Sequence, residues 1–198
     1  MKPIYYSMLL LFLLSSCLVT INENDFRTLN KKDLPFIHSF NIDSTDVPRN
    51  QKTNLYLTEI TGSDIKKSLK KYPYTWVYIW RPFCKGPNCK PLFYYEKIDR
   101  AARAKGVKFM LISQLYDIKN IQRHIQRSTF DREIYVMKDK EYGHKLTPAR
   151  LKLAQEIAPE YYGKKLPWME DYLIFKGDTL IYQGLNISAS ILDSVLHF

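Results

Sequence analysis

The chain has 198 residues, 45% of them hydrophobic and 14% aromatic, which is enough apolar material for one ordinary globular core and too little length for two large domains. A formal net charge of +10 would point a cytosolic protein toward nucleic acid. The lysines are dispersed, however, with Lys66, Lys67, Lys70 and Lys71 in one segment and Lys138, Lys140, Lys145, Lys164 and Lys165 in another, so they read as a solvated face drawn to anionic lipid headgroups, with no nucleic-acid partner.

Lys2 precedes the apolar run Met8–Leu14, and Ser15, Ser16 and Cys17 follow it, giving the charged start, short hydrophobic core and small residues of an export signal. The run is shorter than the roughly 20 apolar residues that a permanent spanning helix needs. Its ending, Leu14-Ser15-Ser16-Cys17, resembles a bacterial lipobox. The resemblance implies a lipoprotein signal peptide over residues 1–16 and lipid on Cys17, with an ordinary signal peptide as the alternative. Leu18 in the next position implies a lipid-anchored protein of the cell envelope, held at the outer membrane and facing the periplasm. With Cys17 assigned to lipid, Cys84 and Cys89 remain as a single pair in an oxidising compartment.

Residues 17–52 are polar, interrupted by Pro35 and Pro48 and without a sustained period, and read as a tether with a short strand near Phe36–Phe40. Residues 53–198 carry the pattern of a folded domain. Ser63 is expected to cap a helix bearing Ile65 and Leu69, which ends before Pro73. Tyr74–Trp80 is a continuous β-branched and aromatic run, suited to a strand buried on both faces. Leu92, Tyr95, Ile98 and Ala102 recur at helical spacing before a stop at Gly106. Val107–Ile112 is a second central strand, and Asp117 caps a helix with Ile118, Ile121 and Ile125 on one face. Strand, helix and strand in that order imply a parallel pair joined by a right-handed crossover, with chemistry at the carboxyl ends of the strands.

Ile134–Met137 reads as a short strand. Thr147 as N-cap and Pro148 at the first helical position open a further helix with Leu151, Ala154 and Ile157 on its apolar face. Residues 138–165 read as an inserted helical element, expected near the rim of the site as a candidate for partner recognition. Tyr172–Phe175 and Thr179–Tyr182 form a hairpin around Gly177, preceded by Leu166-Pro167-Trp168, and Ser188 begins a closing helix with Ile191, Leu192 and Val195.

The chemistry-bearing motif is Cys84-Lys85-Gly86-Pro87-Asn88-Cys89, directly after the first central strand. A thiolate is the reactive form of cysteine, and both a helix N-terminus and the neighbouring Lys85 and Lys90 favour it over the thiol. Residues five apart in a continuous helix have Cα atoms about 8.6 Å apart, beyond the roughly 7 Å that a disulfide tolerates. A bend at Gly86-Pro87 removes the conflict if Asn88 caps the helix, which puts Cys89 at its first position and Pro91 at its third.

A strand ending in an aromatic and a cysteine pair, a helix, a second strand, a later isolated proline, a hairpin and a terminal helix together resemble the thioredoxin-like superfamily, closest to its membrane-tethered thiol:disulfide oxidoreductases. The resemblance implies an α/β fold with a central mixed sheet flanked by helices and a helical insertion before a cis-proline. By position it implies Cys84 as the attacking cysteine, Cys89 as the resolving cysteine, Pro167 as the cis-proline and Trp80 as the aromatic before the motif. The partner implied is an envelope protein, as substrate or redox partner. No cofactor is implied. Glu59 and Asp64 are the available carboxylates for the proton acceptor the family often uses. The departure is the four-residue gap between the cysteines, where family members usually have two.

Two further readings stand beside that one. In the first, Cys84–Cys89 is a permanent staple in a non-catalytic binding module, although so short a disulfide loop restrains little of the unfolded chain. In the second, the domain resembles the Sco copper-delivery proteins, with thiolates and one of His38, His124, His144 or His197 as ligands. A thiol peroxidase of this superfamily needs Thr or Ser three residues before its cysteine, where Arg81 stands.

Overall fold

The computed structural model describes residues 29, 31–44, 49–84, 89–143, 145–162, 172–185 and 188–196. Residues 1–16, Cys17, residues 85–88, His144, Pro167, Trp168 and His197 lie outside the described residues.

The molecule is an α/β protein whose seven-stranded mixed sheet is flanked by helices. The strands are β1 (Ile37–Ser39), β2 (Leu57–Ile60), β3 (Tyr74–Trp80), β4 (Val107–Ser113), β5 (Ile134–Met137), β6 (Tyr172–Lys176) and β7 (Thr179–Gly184). They lie in the order β1-β2-β5-β4-β3-β6-β7. From β1 to β3 all neighbours are parallel, and β6 and β7 add an antiparallel edge. The stretch read as a tether therefore supplies an edge strand, where the Phe36–Phe40 pattern anticipated one.

The central strands carry apolar side chains at nearly every position because both faces are covered. Trp76, Tyr78 and Trp80 of β3 pack toward helix α2 (Leu92–Ala104), through Leu92, Tyr95, Ile98 and Ala102, and toward Ile121 and Ile125 of α3 (Ile118–Gln126). Leu192 of the short α7 (Ile191–Val195) closes this layer. The alternate residues Val77 and Ile79 face Ile65 and Leu69 of α1 (Gly62–Lys71) on the other side. α2 ends as expected at Gly106, whose φ of 67° lies in the left-handed region that glycine adopts without strain. Gly177 turns the β6–β7 hairpin at φ 54°.

Three helix starts differ from expectation. α1 is capped by Thr61, not Ser63: the Thr61 side chain accepts from the Asp64 amide, and the Asp64 carboxylate accepts from the Thr61 amide at 3.2 Å. This reciprocal box satisfies two otherwise orphaned donors, which Ser63 is not placed to do. The helix expected at Thr147-Pro148 is α5 (Leu146–Ile157), with Lys145 as N-cap. Pro148 sits in its first turn, where a missing N–H costs no intrahelical bond. α2 begins at Leu92 rather than Cys89.

Segment 138–165 is described as far as Tyr162 and holds α4 (Asp139–Tyr142), α5 and α6 (Pro159–Tyr162). The carbonyl of Leu146 at the start of α5 accepts from Gln114 Nε2 at 2.8 Å, just past the end of β4. The body of α5 lies on the sheet beside α1, with Ala149, Leu153, Ala154 and Ile157 in the core and Leu151 only half-buried. This element is thus half of one covering layer, and the inner face is shifted from the one its spacing suggested. Among the described residues no helix is long and apolar enough to cross a membrane.

Candidate functional site

The site is built where β3 leaves the sheet. Trp80 is the last strand residue, 2% exposed, and its carbonyl accepts from the Gln114 amide at 3.1 Å. Its ring meets Tyr95 of α2 edge-on at 6.1 Å, and the Tyr95 hydroxyl donates to that of Tyr78 at 3.0 Å. The aromatic before the motif is therefore a fixed wall and the chain turns off a rigid base. Pro82 is buried and Arg81 exposed, and the Cys84 amide donates back to the Arg81 carbonyl at 3.1 Å, which closes a tight turn.

Cys84 and Cys89 are joined by a disulfide with Cα atoms 5.6 Å apart. This separation falls inside the bridging window and requires that the two residues not share a continuous helix. Both cysteines are half-buried. The arrangement that makes this possible differs from the expected one: Pro91 is the N-cap of α2, so Cys89 lies ahead of the helix and not at its first position. Pro91 suits that place because its backbone is extended, at φ −71° and ψ 162°. Both cysteines thus precede the positive end of α2, whose first turn carries no acidic residue and whose N-cap makes no side-chain bond. Lys90 is exposed and lies over the Tyr94 ring at 5.7 Å.

One residue beside this loop stands out in the sequence only as one of four histidines. His124 on α3 has its Nε2 3.1 Å from the Pro82 carbonyl, and its ring meets the Trp80 indole edge-on at 5.2 Å. A carbonyl only accepts, so Nε2 carries the proton and donates. Burial lowers the His124 pKa below its ordinary value; Arg127 and Arg123 lower it further, against the Pro82 carbonyl and Asp117, which raise it. The sequence signal is its place at the edge of the apolar stripe of α3, three residues after Ile121 and directly before Ile125.

The other residues weighed for the site are elsewhere. Glu59 is on β2, separated from β3 by β5 and β4, and accepts from the Tyr116 hydroxyl at 2.6 Å. Asp64 is engaged in the cap of α1; burial acts to raise its pKa, and the bonds from Lys67 and Thr61 outweigh this and hold it below the usual range. His38 stacks on Tyr56 with ring centroids 3.8 Å apart, on the edge strand β1. Among the described residues no group of three or more His, Cys, Asp and Glu side chains is placed to hold a metal ion. Pro167, Trp168, His144 and His197 lie outside the described residues.

Chemically, a half-buried cysteine pair in front of an open helix N-terminus can exchange its disulfide with an incoming thiolate. Comparison with known proteins gives no match, whether to a family model, a curated protein or a solved structure.

Proposed function

We propose that this chain is a thioredoxin-like thiol:disulfide exchange protein of the bacterial cell envelope, anchored through lipid on Cys17 and acting on envelope proteins through Cys84 and Cys89. The observation that carries the reading is the bridged pair itself, in the loop joining the carboxyl end of the central strand β3 to the N-terminus of α2. The parallel β3–α2–β4 unit, the antiparallel β6–β7 hairpin on the other side of β3 and the closing helix α7 support the same resemblance. Strand β5 stands between β4 and β2 as part of an additional strand–helix unit.

In the bridged form the pair is an oxidant. A partner thiolate attacks one sulfur, the Cys84–Cys89 bond breaks, and the displaced cysteine leaves as a thiolate. A second partner thiolate then attacks the mixed disulfide, the partner leaves oxidised, and two electrons remain on the protein as its dithiol. In the reverse direction the Cys84 thiolate attacks a partner disulfide and Cys89 resolves the mixed intermediate.

The test uses the full chain with insulin as the disulfide substrate and dithiothreitol as the reductant. Wild type is expected to accelerate insulin reduction, Cys84→Ser to lose the acceleration, and Cys89→Ser to accumulate a mixed disulfide with insulin through Cys84. Insulin reduction at the uncatalysed rate, with no trapped complex, contradicts exchange and leaves the pair as a staple.

A further inference from the structure

The cysteine pair emerges beside two helices whose outward faces carry one sign of charge. α2 and α3 share the core on that side of the sheet. Trp80 touches Tyr95 of one and His124 of the other, and Glu96 of α2 accepts from the Thr129 amide just past α3 at 3.3 Å. The pair lies directly ahead of α2, and Pro82, two residues before Cys84, is held by His124 of α3. Both helices therefore flank the route by which a partner reaches the sulfurs.

The carboxylates of these helices are already engaged. On α2, Glu96 is matched by Arg100 at 3.3 Å, and the buried Asp99 by Arg103 at 2.7 Å. At the start of α3 the Asp117 carboxylate is 9% exposed and accepts from the amide and the side chain of Asn120. Beyond α3, Asp131 faces Arg132 at 3.4 Å. Lys90, Lys97, Arg123 and Arg127 are exposed and, among the described residues, form no ion pair with a carboxylate. Lys90 lies over the Tyr94 ring, and Arg123 donates to Asn120 Oδ1 at 2.9 Å. Phe93, in the first turn of α2, is 51% exposed and shares an outward stripe with Lys97, four residues on. An exposed aromatic with charges around it has the make-up of an interface, apolar at the centre and polar at the rim.

We propose that this face recognises an acidic segment of a partner protein, a cysteine flanked by Asp or Glu with an apolar side chain that packs on Phe93. The inference rests on the exchange reading of Cys84 and Cys89 and names the class of partner that reaches them. Carboxylates beside the partner's sulfur meet Lys90 and Lys97 from α2 and Arg123 and Arg127 from α3. Such complementarity acts chiefly on the rate of encounter and turns away partners of like charge. A lipid surface offers the same charge but no sulfur with which a half-buried pair can exchange.

The test uses the reduced full chain with Cys17→Ser, so that the pair supplies the only thiols. Two short peptides, each with one cysteine beside a leucine, are flanked by glutamates in one and lysines in the other, and are activated as their thionitrobenzoate disulfides. The protein thiolate attacks the peptide sulfur, the S–S bond breaks, and thionitrobenzoate leaves with the electron pair, so its release gives the rate. At low salt the acidic peptide is expected to react about tenfold or more faster than the basic one. At about 0.5 M salt this preference shrinks toward unity. Arg123→Gln with Arg127→Gln, and separately Lys90→Gln with Lys97→Gln, are each expected to narrow it by about threefold. Phe93→Ala is expected to slow both peptides alike, by about threefold. Equal rates at low salt overturn the inference, as do failure of both peptides to react and an unchanged preference in either charge variant. If the rates are equal and Arg123→Gln with Arg127→Gln weakens binding to phosphatidylglycerol vesicles, the face contacts lipid instead. The reaction is stoichiometric and needs only an accessible thiolate, so it is read apart from turnover. Insulin reduction with equal peptide rates overturns the partner class alone, whereas peptide preference without insulin turnover supports recognition and overturns the catalytic reading.

Discussion

His124 ties three parts of the site together: its Nε2–H donates to the Pro82 carbonyl, its ring packs on Trp80, and it sits on α3, an element that contributes no cysteine. Because Pro82 is two residues before Cys84, the bond fixes where the chain leaves β3. The same contact has a pH signature. Burial lowers the folded-state pKa of His124 below 6.5, so the unfolded chain takes up this proton more readily than the native protein. The stability associated with the neutral ring is complete above the unfolded value of about 6.5 and is lost as pH falls through the folded one. His124→Gln is therefore expected to flatten the fall in melting temperature between about pH 7 and 5. His38, also lowered by burial, is common to both proteins, so the difference isolates His124. Thermal unfolding across that range checks this, and parallel curves for the two proteins contradict it.

Among the elements, α5 takes a core role that its sequence alone does not show. Leu153 is 1% exposed in the layer that also holds Ile65, Leu69 and Val77. Leu153→Ala is expected to destabilise the protein by about 2–5 kcal/mol in urea unfolding, the cost of a large-to-small change in a packed core. A loss under about 0.5 kcal/mol, the range of surface substitutions, contradicts a core role for the helix. Most strands are legible because β-branched and aromatic runs such as Tyr74–Trp80 and Ile134–Met137 have few other destinations, whereas β2 is not, because Leu57–Ile60 is only four residues long and Thr58 and Glu59 interrupt its apolar pattern. The helix starts were less so, because Thr61 and Ser63 are both chemically able to cap and only the position of Asp64 decides between them. The role of α5 was hidden for another reason: periodicity along one helix gives a face, and which sheet surface it covers depends on the order of strands around it.

At the scale of the whole molecule, two α-helical layers hold one sheet, and the two ends of that sheet differ in chemistry. The cysteine pair stands beyond Trp80 at the carboxyl end of β3, while a cavity lined by charged side chains opens beside Val107 at the amino end of β4. The first was visible in sequence, since two cysteines at the end of an apolar run are a local feature. The second was not: Asp99, Lys108 and Glu133 come from three separate segments and line one cavity only in the folded molecule. The four-residue gap between the cysteines raised a geometric objection, and the 5.6 Å Cα separation answers it by placing both residues ahead of α2. The central claim is that this pair cycles. The measurement that tests it most directly is the reduction potential of Cys84–Cys89, from equilibration of the full chain with defined glutathione or dithiothreitol ratios and trapping of free thiols. The account predicts a potential among those of exchange catalysts, about −270 to −120 mV, with the signal lost in Cys84→Ser. A pair that remains oxidised below about −300 mV is a structural disulfide and contradicts it.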